Sequence, residues 1–326
     1  MLVVSRAEVE QLLDVDELID ALAGAMADLS AGRASVPNRV GARVSEPDGL
    51  LAAMPGYAPS AGALASKLVT LFPGNTELPT HQAVIVAFDP ASGRPEALLD
   101  GTAITAIRTA AGSALSTRLL ARPDARTLAI LGTGVQARAH AKAVPHVRAF
   151  DQIRIAGRDP AKARALAEEL AGELDADVCA ASSFADACAD ADVVCATTHP
   201  VEPVVRREWL APGTHIASVG FNPNGREVDD ATVAGARLVV ESRAAVLAPD
   251  PAGSQDVLQP IERGVIDAGH IHAEVGELVE GIRPGRTSPE QITLYKSVGV
   301  AVQDCAAAAL VLRAARASGV GSEIEV

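Results

Sequence analysis

A glycine-rich turn between an apolar run and an alanine-rich helical segment constrains the fold of this chain more than any other feature. Residues 128–131 form the apolar run LAIL, the letters GTGVQA follow, and a second β-like run occupies residues 153–156. A strand, a G-x-G-x-x-A turn, a helix and a second strand in this order are typical of a βαβ unit that binds a dinucleotide. We therefore predict cofactor contacts from the whole turn, which comprises Gly132, Thr133, Gly134, Val135, Gln136 and Ala137.

Three small residues of this turn have separate physical roles in such a unit. Gly132 permits the tight turn, Gly134 lets the backbone approach a pyrophosphate because it has no Cβ, and Ala137 keeps the helix close to the sheet. The N-terminus of the helix offers unpaired N–H groups and the positive end of its dipole to phosphates. The alternative is an ordinary glycine turn in an α/β domain.

Strand-like and helix-like patterns alternate from residue 126 to about residue 245, which predicts an α/β domain with a doubly wound parallel sheet, a Rossmann fold. The predicted strands are 128–131, 153–156, 178–180, 193–196, 215–219 and 238–241, and the clearest predicted helix is 160–172.

The N-terminal part has a different pattern. Helical periodicity over residues 5–32, with Ser5 as N-cap and Glu8 three residues later, precedes short β-like runs separated by Pro and Gly turns. These runs are 50–54, 67–72, 83–88 and 96–99, and helical patterns follow at 102–122 and near 290–318. The order predicts a mostly antiparallel sheet packed on helices. If the last helix packs back on this sheet, the first domain comprises residues 1–122 and 294–326, and the dinucleotide-binding domain residues 123–293.

Length and charge limit the class of protein. The 326 residues suffice for two domains, and a composition with 48% hydrophobic and 21% charged residues is globular. The net charge of −13 argues against nucleic acid and against an anionic membrane surface as partners. No uncharged apolar run reaches the roughly 18 residues of a membrane span, and the pattern of a signal peptide is missing. We therefore expect a cytoplasmic protein.

The four cysteines do not form a C-x-x-C pair, and none has a nearby histidine at the spacing of a metal site. We interpret them as small buried residues in a reducing compartment, and we predict no metal site.

The end of the second predicted strand bears on which dinucleotide binds. An acidic residue there would bind the ribose 2′-hydroxyl of NAD, but the chain has Gly157 and Arg158, with Asp159 one residue later. A guanidinium pairs with a 2′-phosphate and stacks on adenine. The sequence therefore favours NADP(H), and NAD(H) stays possible if Asp159 reaches the ribose. Thr197 and Thr198, after the fourth predicted strand, are consistent with a cofactor contact and equally with a plain strand end.

Several segments together resemble the ornithine cyclodeaminase/mu-crystallin family. In chain order they are PNR at 37–39, MP at 54–55, KLV at 67–69, FPGN at 72–75, PTHQ at 79–82, DG at 100–101, TAIRTAA at 105–111, the glycine turn at 132–137, and residues 220–229. They cover most of the chain, and the lysine and arginine segments are more specific than the glycine turn.

The resemblance implies a fold, a partner and a class of reaction. The implied protein is a homodimer with an N-terminal α/β domain for substrate binding and dimerisation, a Rossmann domain, and a C-terminal helix that returns to the first domain. Family activities include ornithine and lysine cyclodeamination, alanine and arginine dehydrogenation, and reduction of cyclic ketimines such as pyrroline-2-carboxylate. All use a nicotinamide dinucleotide and act on an α-amino or α-imino carboxylate.

Several basic residues of the N-terminal part are candidates for binding the substrate or the cofactor. Lys67 lies in an apolar run, where an ammonium is costly to bury. One interpretation is an edge-strand lysine that faces water. The resemblance implies instead a lysine that binds the substrate carboxylate or transfers a proton to and from the substrate nitrogen. Arg39 matches the family arginine that clamps the carboxylate, with Arg43 as the fallback. Arg108, among small and apolar residues, is implied to contact the cofactor phosphates, and His81 is a weak candidate.

One position departs from the cyclodeaminase pattern. Cyclodeaminase members carry an aspartate where this chain has Asn222, after Val219 at the end of a predicted strand, and an amide cannot act as a base at neutral pH. This difference favours imine reduction or amino-acid dehydrogenation. Arg226 matches a basic family position near the nicotinamide, and Val219 is a further predicted cofactor contact.

The sequence thus favours a homodimeric, NADP(H)-dependent imine reductase or amino-acid dehydrogenase. In this hypothesis Arg39 clamps the carboxylate, Lys67 assists proton transfer at nitrogen, and Asn222 contacts the substrate nitrogen. One alternative is an ornithine or lysine cyclodeaminase that uses bound NAD. An alternative of another class is a non-catalytic, crystallin-like protein that binds NADPH.

Overall fold

A computed structural model describes residues 1–249 and 252–325 of the chain. The backbone separates into two compact units, of which the first comprises Met1–Arg108 with Gly299–Val326 and the second comprises Thr109–Val298. The first unit is therefore built from two chain segments that lie far apart in the sequence.

Strands of the first segment cluster between two helical stretches. In chain order the elements are β1 (Leu2–Val4), α1 (Arg6–Leu12), α2 (Val15–Ser30), β2 (Val40–Val44), β3 (Gly49–Ala58), β4 (Ala63–Leu71), β5 (His81–Phe88), β6 (Pro95–Asp100) and α3 (Gly101–Leu120). The predicted capping box is present at α1, because the backbone N–H of Ser5 donates to Glu8 Oε2 at 2.7 Å.

In the second unit, strands and helices alternate as the sequence predicts. The elements are β7 (Thr127–Leu131), α4 (Val135–Ala143), β8 (Gln152–Ala156), α5 (Pro160–Ala171), β9 (Asp177–Ala180), α6 (Phe184–Cys188), β10 (Val193–Ala196), β11 (His215–Ser218), α7 (Asp230–Gly235), β12 (Arg237–Val240), α8 (Arg243–Val246), α9 (Gln255–Glu262), β13 (Ile271–Glu274), α10 (Val275–Val279) and β14 (Thr293–Lys296). The C-terminal segment of the first unit then adds α11 (Ala301–Ser318) and β15 (Ser322–Glu323).

The sheet of the first unit has the strand order β15-β1-β6-β5-β4-β3-β2. Neighbours from β2 to β6 are antiparallel, which confirms the predicted mostly antiparallel sheet, and β1 pairs with β6 in parallel. Alternate residues of β4, namely Ala63, Ala65 and Lys67, are buried on the face that α11 covers. Because side chains alternate across a strand, Lys67 points into the core between sheet and helix.

All neighbouring strands of the second sheet are parallel, in the order β13-β12-β14-β11-β10-β7-β8-β9. This arrangement confirms the predicted Rossmann fold. The strand order reverses between β7 and β10, and sheets of this type bind ligands at the carboxyl ends of the strands on either side of such a reversal. The glycine turn follows β7, and Thr197 follows β10.

The prediction of a helix near residues 290–318 is wrong for the first part of that segment. Residues Thr293–Lys296 form the buried strand β14 between β11 and β12, and α11 begins only at Ala301. Gly299 between them has φ +79°, a left-handed conformation that interrupts a helix. Periodicity alone cannot distinguish a short, wholly buried apolar strand from a buried helical segment, which explains the error.

The division between the units does not coincide with the predicted boundaries at 122/123 and 293/294. It falls at 108/109, inside α3, and at 298/299, just before α11. The four cysteines form no disulfide; Cys188, Cys195 and Cys305 are buried, and Cys179 is partly buried. None of the helices in the described part of the chain combines the length and the apolar character that a membrane span requires.

Candidate active site

Gly132 is required at its position for two reasons. It has φ +130°, which L side chains rarely adopt, and a Cβ there would lie 2.6 Å from Thr197 Oγ1 and 2.9 Å from Thr197 O. Its backbone N–H donates to the carbonyl of Ala156 at 2.8 Å, so that the turn is tied to the end of β8. Thr197 Oγ1 in turn donates to the carbonyl of Leu131 at 2.8 Å. The ends of three parallel strands therefore meet closely at this glycine.

Open space lies over the start of α4. Gly134 is the N-cap residue, and a Cβ built on it meets nothing within 4 Å. A glycine has no side chain to cap the first-turn N–H groups, so these donors face this space. Val135 is 67% exposed, whereas Ala137 is fully buried against the sheet. Gln136 lies between them and is partly buried. The residues present thus fit a dinucleotide pyrophosphate, as a phosphate needs unpaired N–H donors and no intervening Cβ.

The end of β8 carries a glycine at position 157, and a side chain there would require Thr133 to shift. A Cβ on Gly157 would lie 2.6 Å from Thr133 Cγ2. Asp159 caps α5 by accepting from the backbone N–H groups of Ala161 at 2.9 Å and Lys162 at 3.4 Å. Arg158, between Gly157 and Asp159, is exposed. The carboxylate at this edge is therefore engaged in capping a helix, and the guanidinium is accessible.

A buried carboxylate organises the loops that follow β10 and β11. Glu227 Oε1 accepts from the backbone N–H and the hydroxyl of Thr198, at 2.6 and 2.7 Å. Its Oε2 accepts from the hydroxyl of Ser218 and the N–H of Gly220, each at 2.7 Å. Glu227 is 1% exposed. One side chain therefore holds two loops at the carboxyl edge of the sheet.

A buried lysine compensates this carboxylate. Lys296 Nζ donates to the carbonyl of Gly220 at 2.7 Å and to Ser218 Oγ at 3.0 Å, and lies 2.8 Å from Asp256 Oδ2. Asp256 Oδ1 accepts from the backbone N–H groups of Glu227 and Val228, each at 2.8 Å. Lys296 was not predicted from sequence because it lies in a segment predicted to be helical, and Asp256 was not predicted either.

The remaining predicted residues of the second unit have local partners. Val219 donates its N–H to the carbonyl of Ala196 at 3.0 Å. Asn222 donates from Nδ2 to the carbonyl of Pro200 at 2.8 Å, and its Oδ1 accepts from the N–H of Asn224 at 2.9 Å. The Asn222 amide thus ties its own loop to the loop that follows β10.

Arg226, predicted beside the nicotinamide, forms an ion pair with Asp230 one turn along the chain. Asp230 also lies 3.1 Å from Arg263.

In the first unit, Lys67 lies in a charged cluster inside an apolar sheet. It is opposite Met54 on β3 and Ile85 on β5, and its side chain is 3% exposed. Its Nζ lies 2.7 Å from Oδ2 of Asp304, which projects from the first turn of α11 and is 2% exposed. Lys67 therefore does not face water, and its burial depends on a carboxylate more than two hundred residues away in the sequence.

Arg108 joins the same cluster from α3. Its Nε donates to Asp304 Oδ1 at 3.1 Å, and its Nη1 donates to Gln303 Oε1 at 2.8 Å. A Cβ on Gly299 would lie 3.1 Å from Arg108 Nη2, and the Gly299 carbonyl accepts from Nη2 of the exposed Arg39 at 3.2 Å. The structure thus brings Lys67 and Arg108 together and links Arg39 to them through Gly299.

Two weaker candidates lie farther along the sheet. Arg43 is on β2 opposite Leu50, and His81 begins β5 opposite Leu71, four residues along β4 from Lys67. Both side chains are exposed.

The charged side chains of the cluster shift one another's pKa values. Burial lowers the pKa of Lys67 to about 8; Asp304 opposes this shift, and Arg108 and Arg39 add to it. Burial by itself would raise the pKa of Asp304, but Lys67 and Arg108 hold it below its usual value. Among the described residues, three cationic side chains therefore accompany the ionised carboxylate of Asp304, and this positive excess suits an anionic ligand.

Asp304 was not among the residues predicted from sequence. A signal was present, because Asp304 is a charged residue among mostly small and apolar neighbours, the same pattern that singled out Arg108. Such a residue, when buried, requires a charged partner.

Comparison with known proteins agrees with this architecture. The pattern of the ornithine cyclodeaminase/mu-crystallin family matches residues 1–319. The chain is 39% identical over 300 residues to the ketimine reductase mu-crystallin of Mus musculus, with 90% of each chain covered. This chain belongs to the ornithine cyclodeaminase/mu-crystallin family.

Two solved structures share the whole fold. The Delta(1)-pyrroline-2-carboxylate reductase of Thermococcus litoralis, in complex with NADH and L-proline, has a TM-score of 0.94 and 40% identity, and 99% of this chain and 100% of that chain are covered. An archaeal alanine dehydrogenase dimer with bound NAD has a TM-score of 0.90 and 30% identity, with 100% and 99% covered.

Two glycine substitutions should separate folding from cofactor binding. Gly132→Ala introduces a Cβ at a positive φ and against Thr197, so we expect a lower melting temperature and loss of NADH binding. Gly134→Ala meets open space, so we expect a melting temperature close to that of the wild type and a Kd for NADH raised at least about tenfold. Thermal denaturation and NADH fluorescence titration measure both quantities. Unchanged NADH affinity in Gly134→Ala would show that the pyrophosphate does not bind over this helix.

Proposed function

We propose that this protein is an NAD(P)H-dependent reductase of small cyclic α-imino acids such as pyrroline-2-carboxylate. The observation that carries the proposal is the buried Lys67–Asp304–Arg108 cluster, which combines a proton donor with an excess of positive charge. Support comes from the Thermococcus reductase, which shares the fold and binds NADH and L-proline, and from the murine ketimine reductase.

The substrate carboxylate binds to the arginines. Arg39 is exposed, and its guanidinium donates to the Gly299 carbonyl. A guanidinium can bind a carboxylate with two parallel hydrogen bonds. Arg108 contributes positive charge from a fixed position, because Asp304 and Gln303 hold its guanidinium. The role implied for Arg108 by the family, a contact with cofactor phosphates, is thus complemented by a role on the substrate side.

Lys67 supplies the proton that the imine nitrogen gains. When bound, the reduced nicotinamide dinucleotide supplies the hydride for the α-carbon. The Lys67 ammonium donates to the nitrogen, so that the C=N bond becomes a CH–NH group and Lys67 is left as a neutral amine. With a pKa of about 8, this lysine is protonated at neutral pH and still acidic enough to transfer its proton.

The surroundings of Lys67 favour a substrate with an uncharged side chain. Met54 and Ile85 flank it on the adjacent strands, and the Asp304 carboxylate that contacts it already pairs with two cations. A side-chain ammonium, as in ornithine, would need an acidic partner. Asn222 stands where cyclodeaminases have an aspartate, and its amide is held by Pro200 and Asn224. These features disfavour cyclodeamination.

A second candidate function is dehydrogenation of an alanine-type amino acid. It is favoured by the likeness to the archaeal alanine dehydrogenase with bound NAD, and it uses the same groups. In that reaction Lys67 interacts with an acyclic nitrogen. A non-catalytic protein is disfavoured, since a lysine, an arginine and an aspartate that are buried together are costly to desolvate.

For the cofactor, we favour NADP(H) over NAD(H). Support comes from the end of β8, where position 157 is a glycine packed against the Thr133 side chain and Asp159 is engaged as a helix cap. Arg158 is exposed there and suits a 2′-phosphate. These two solved relatives contain NADH or NAD, so a preference for NADP(H) over NAD(H) would be a property of this chain.

The partner of the first unit is a second copy of the chain. One face of its sheet presents aliphatic residues to solvent, with Leu51 43%, Leu68 37% and Val84 40% exposed on adjacent strands. A contiguous apolar face of this kind marks an interaction surface. The dimer of the related alanine dehydrogenase supports a homodimer as its occupant.

The first test is NADPH and NADH consumption with pyrroline-2-carboxylate. We expect reduction to L-proline whose kcat/KM falls as the pH rises through about 8, because the Lys67 proton is then lost; the reverse oxidation of L-proline should rise through the same pH. Lys67→Met should lower kcat at least about 100-fold, while Lys142→Met, at an exposed lysine, should not. Release of ammonia and proline from L-ornithine without net cofactor turnover would instead establish a cyclodeaminase.

The proposed preference for NADPH depends on the contact between the Arg158 guanidinium and the 2′-phosphate. Arg158→Ala should weaken NADPH binding at least about tenfold and leave NADH binding within about twofold, because only the 2′-phosphate loses its partner. Arg164→Ala, at an exposed arginine of α5, is the matched control. Equal Kd values for NADPH in the wild type and in Arg158→Ala would exclude this origin of preference.

The dimer can be tested by placing a charge on the apolar face. Leu68→Asp should convert the dimer to a monomer in analytical ultracentrifugation, because a carboxylate would be buried without a partner. Ile282→Asp changes an equally aliphatic residue, 63% exposed in the second unit, and should stay dimeric. A dimeric Leu68→Asp variant would mean that another surface mediates self-association.

A further inference from the structure

One carboxylate at the start of α11 serves two cations from different elements. Asp304 lies 2.7 Å from Lys67 Nζ through Oδ2 and accepts from Arg108 Nε at 3.1 Å through Oδ1. All three side chains are almost completely buried, at 2–6% exposure. The two donors are therefore held side by side by a single group, with one oxygen for each.

Among the described residues, the titratable and charged groups around Lys67 come from three parts of the chain. Asp304 and the Cys305 thiol lie on α11, Arg108 lies on α3, and Arg39 precedes β2. The residues opposite Lys67 on β3 and β5 are Met54 and Ile85, which carry no charge. Burial raises the pKa of Cys305 to about 12, so this thiol is neutral when Lys67 titrates. Asp304 is thus the group that opposes both burial and the two arginines.

We propose that Asp304 is a positioning residue that fixes Lys67 and Arg108 as a pair and keeps Lys67 in its ammonium form at neutral pH. The catalytic consequence rests on the proposed function, because an imine reductase needs the proton on Lys67. The electrostatic consequence does not, since it follows from the contacts alone.

Removal of the Asp304 carboxylate would shift Lys67 toward its neutral amine. Burial disfavours the ammonium, and Arg108 and Arg39 repel it, so all remaining influences favour the neutral amine. An opposite charge in contact shifts a pKa by about 1–3 units, which would bring Lys67 well below 8 once the charge is removed. Gln303 would still hold Arg108 through Nη1, so the loss concerns mainly Lys67.

The chain offers a direct way to observe Lys67. It has only four lysines, Lys67, Lys142, Lys162 and Lys296, so labelling lysine at Cε gives four side-chain signals whose titration NMR can follow. Lys67→Arg assigns the signal of interest. In the wild type we expect that signal to titrate near pH 8.

Asp304→Asn removes the charge and keeps the shape. We expect the Lys67 titration, and with it the alkaline limb of imine reduction, to move down by about 1–3 pH units. Cys305→Ala, at the adjacent buried position of α11, controls for disturbed helix packing and should leave the Lys67 titration in place. If Lys67 titrates at the same pH in folded Asp304→Asn as in the wild type, the proposal is overturned.

Asp304→Glu covers the case in which Asp304→Asn does not fold. It keeps the charge and lengthens the side chain by one methylene, so Lys67 should remain protonated at pH 7 while kcat for imine reduction falls at least about tenfold through misplacement of the donor. Wild-type kcat and KM in Asp304→Glu would overturn the positioning role. A wild-type protein that reduces no imine would refute the proposed function, whereas the NMR titration would still decide the role of Asp304.

Discussion

The burial of the Lys67 ammonium is the interaction on which the arrangement of the first unit depends. A charge inside an apolar sheet is tolerated only with a partner, and that partner, Asp304, belongs to the last helix of the chain. The C-terminal segment must therefore pack on the N-terminal sheet, and the unit must be discontinuous. The same carboxylate binds Arg108, so the pairing that permits burial also orders the donors proposed to meet the substrate.

The second unit meets a different constraint, which is close approach of backbones at the carboxyl ends of parallel strands. Gly132 is held against Thr197, and Gly220 lies so close to Thr198 O that a Cβ would come within 2.2 Å of it. The loops at this edge cannot pair with one another as strands do. Glu227 and Lys296 supply the missing hydrogen bonds from buried side chains, so that the loops are ordered around the turn proposed to hold the cofactor.

Local patterns predicted the parts of this structure that depend on neighbouring residues. The strand–turn–helix at Gly132 and the capping box at Ser5 were predictable because their chemistry is contained in a few consecutive positions. The strand at Lys296 was not, because four buried residues have no diagnostic periodicity and their pairing partners lie far along the chain. Asn222 illustrates the same limit, since its loop partners Pro200 and Asn224 decide what its amide can bind.

The sequence by itself determined the Rossmann class, the family and the residue types available to the chemistry, because small residues at fixed spacing and an isolated lysine among apolar residues leave their mark on the local pattern. Only the tertiary structure decided that Lys67 is buried and that Asp304 and Arg108 are its neighbours. It likewise decided that Asp159 caps a helix. The physical reason is that charge pairing and desolvation depend on distances in space, and residues separated by some two hundred positions acquire those distances only when the chain folds.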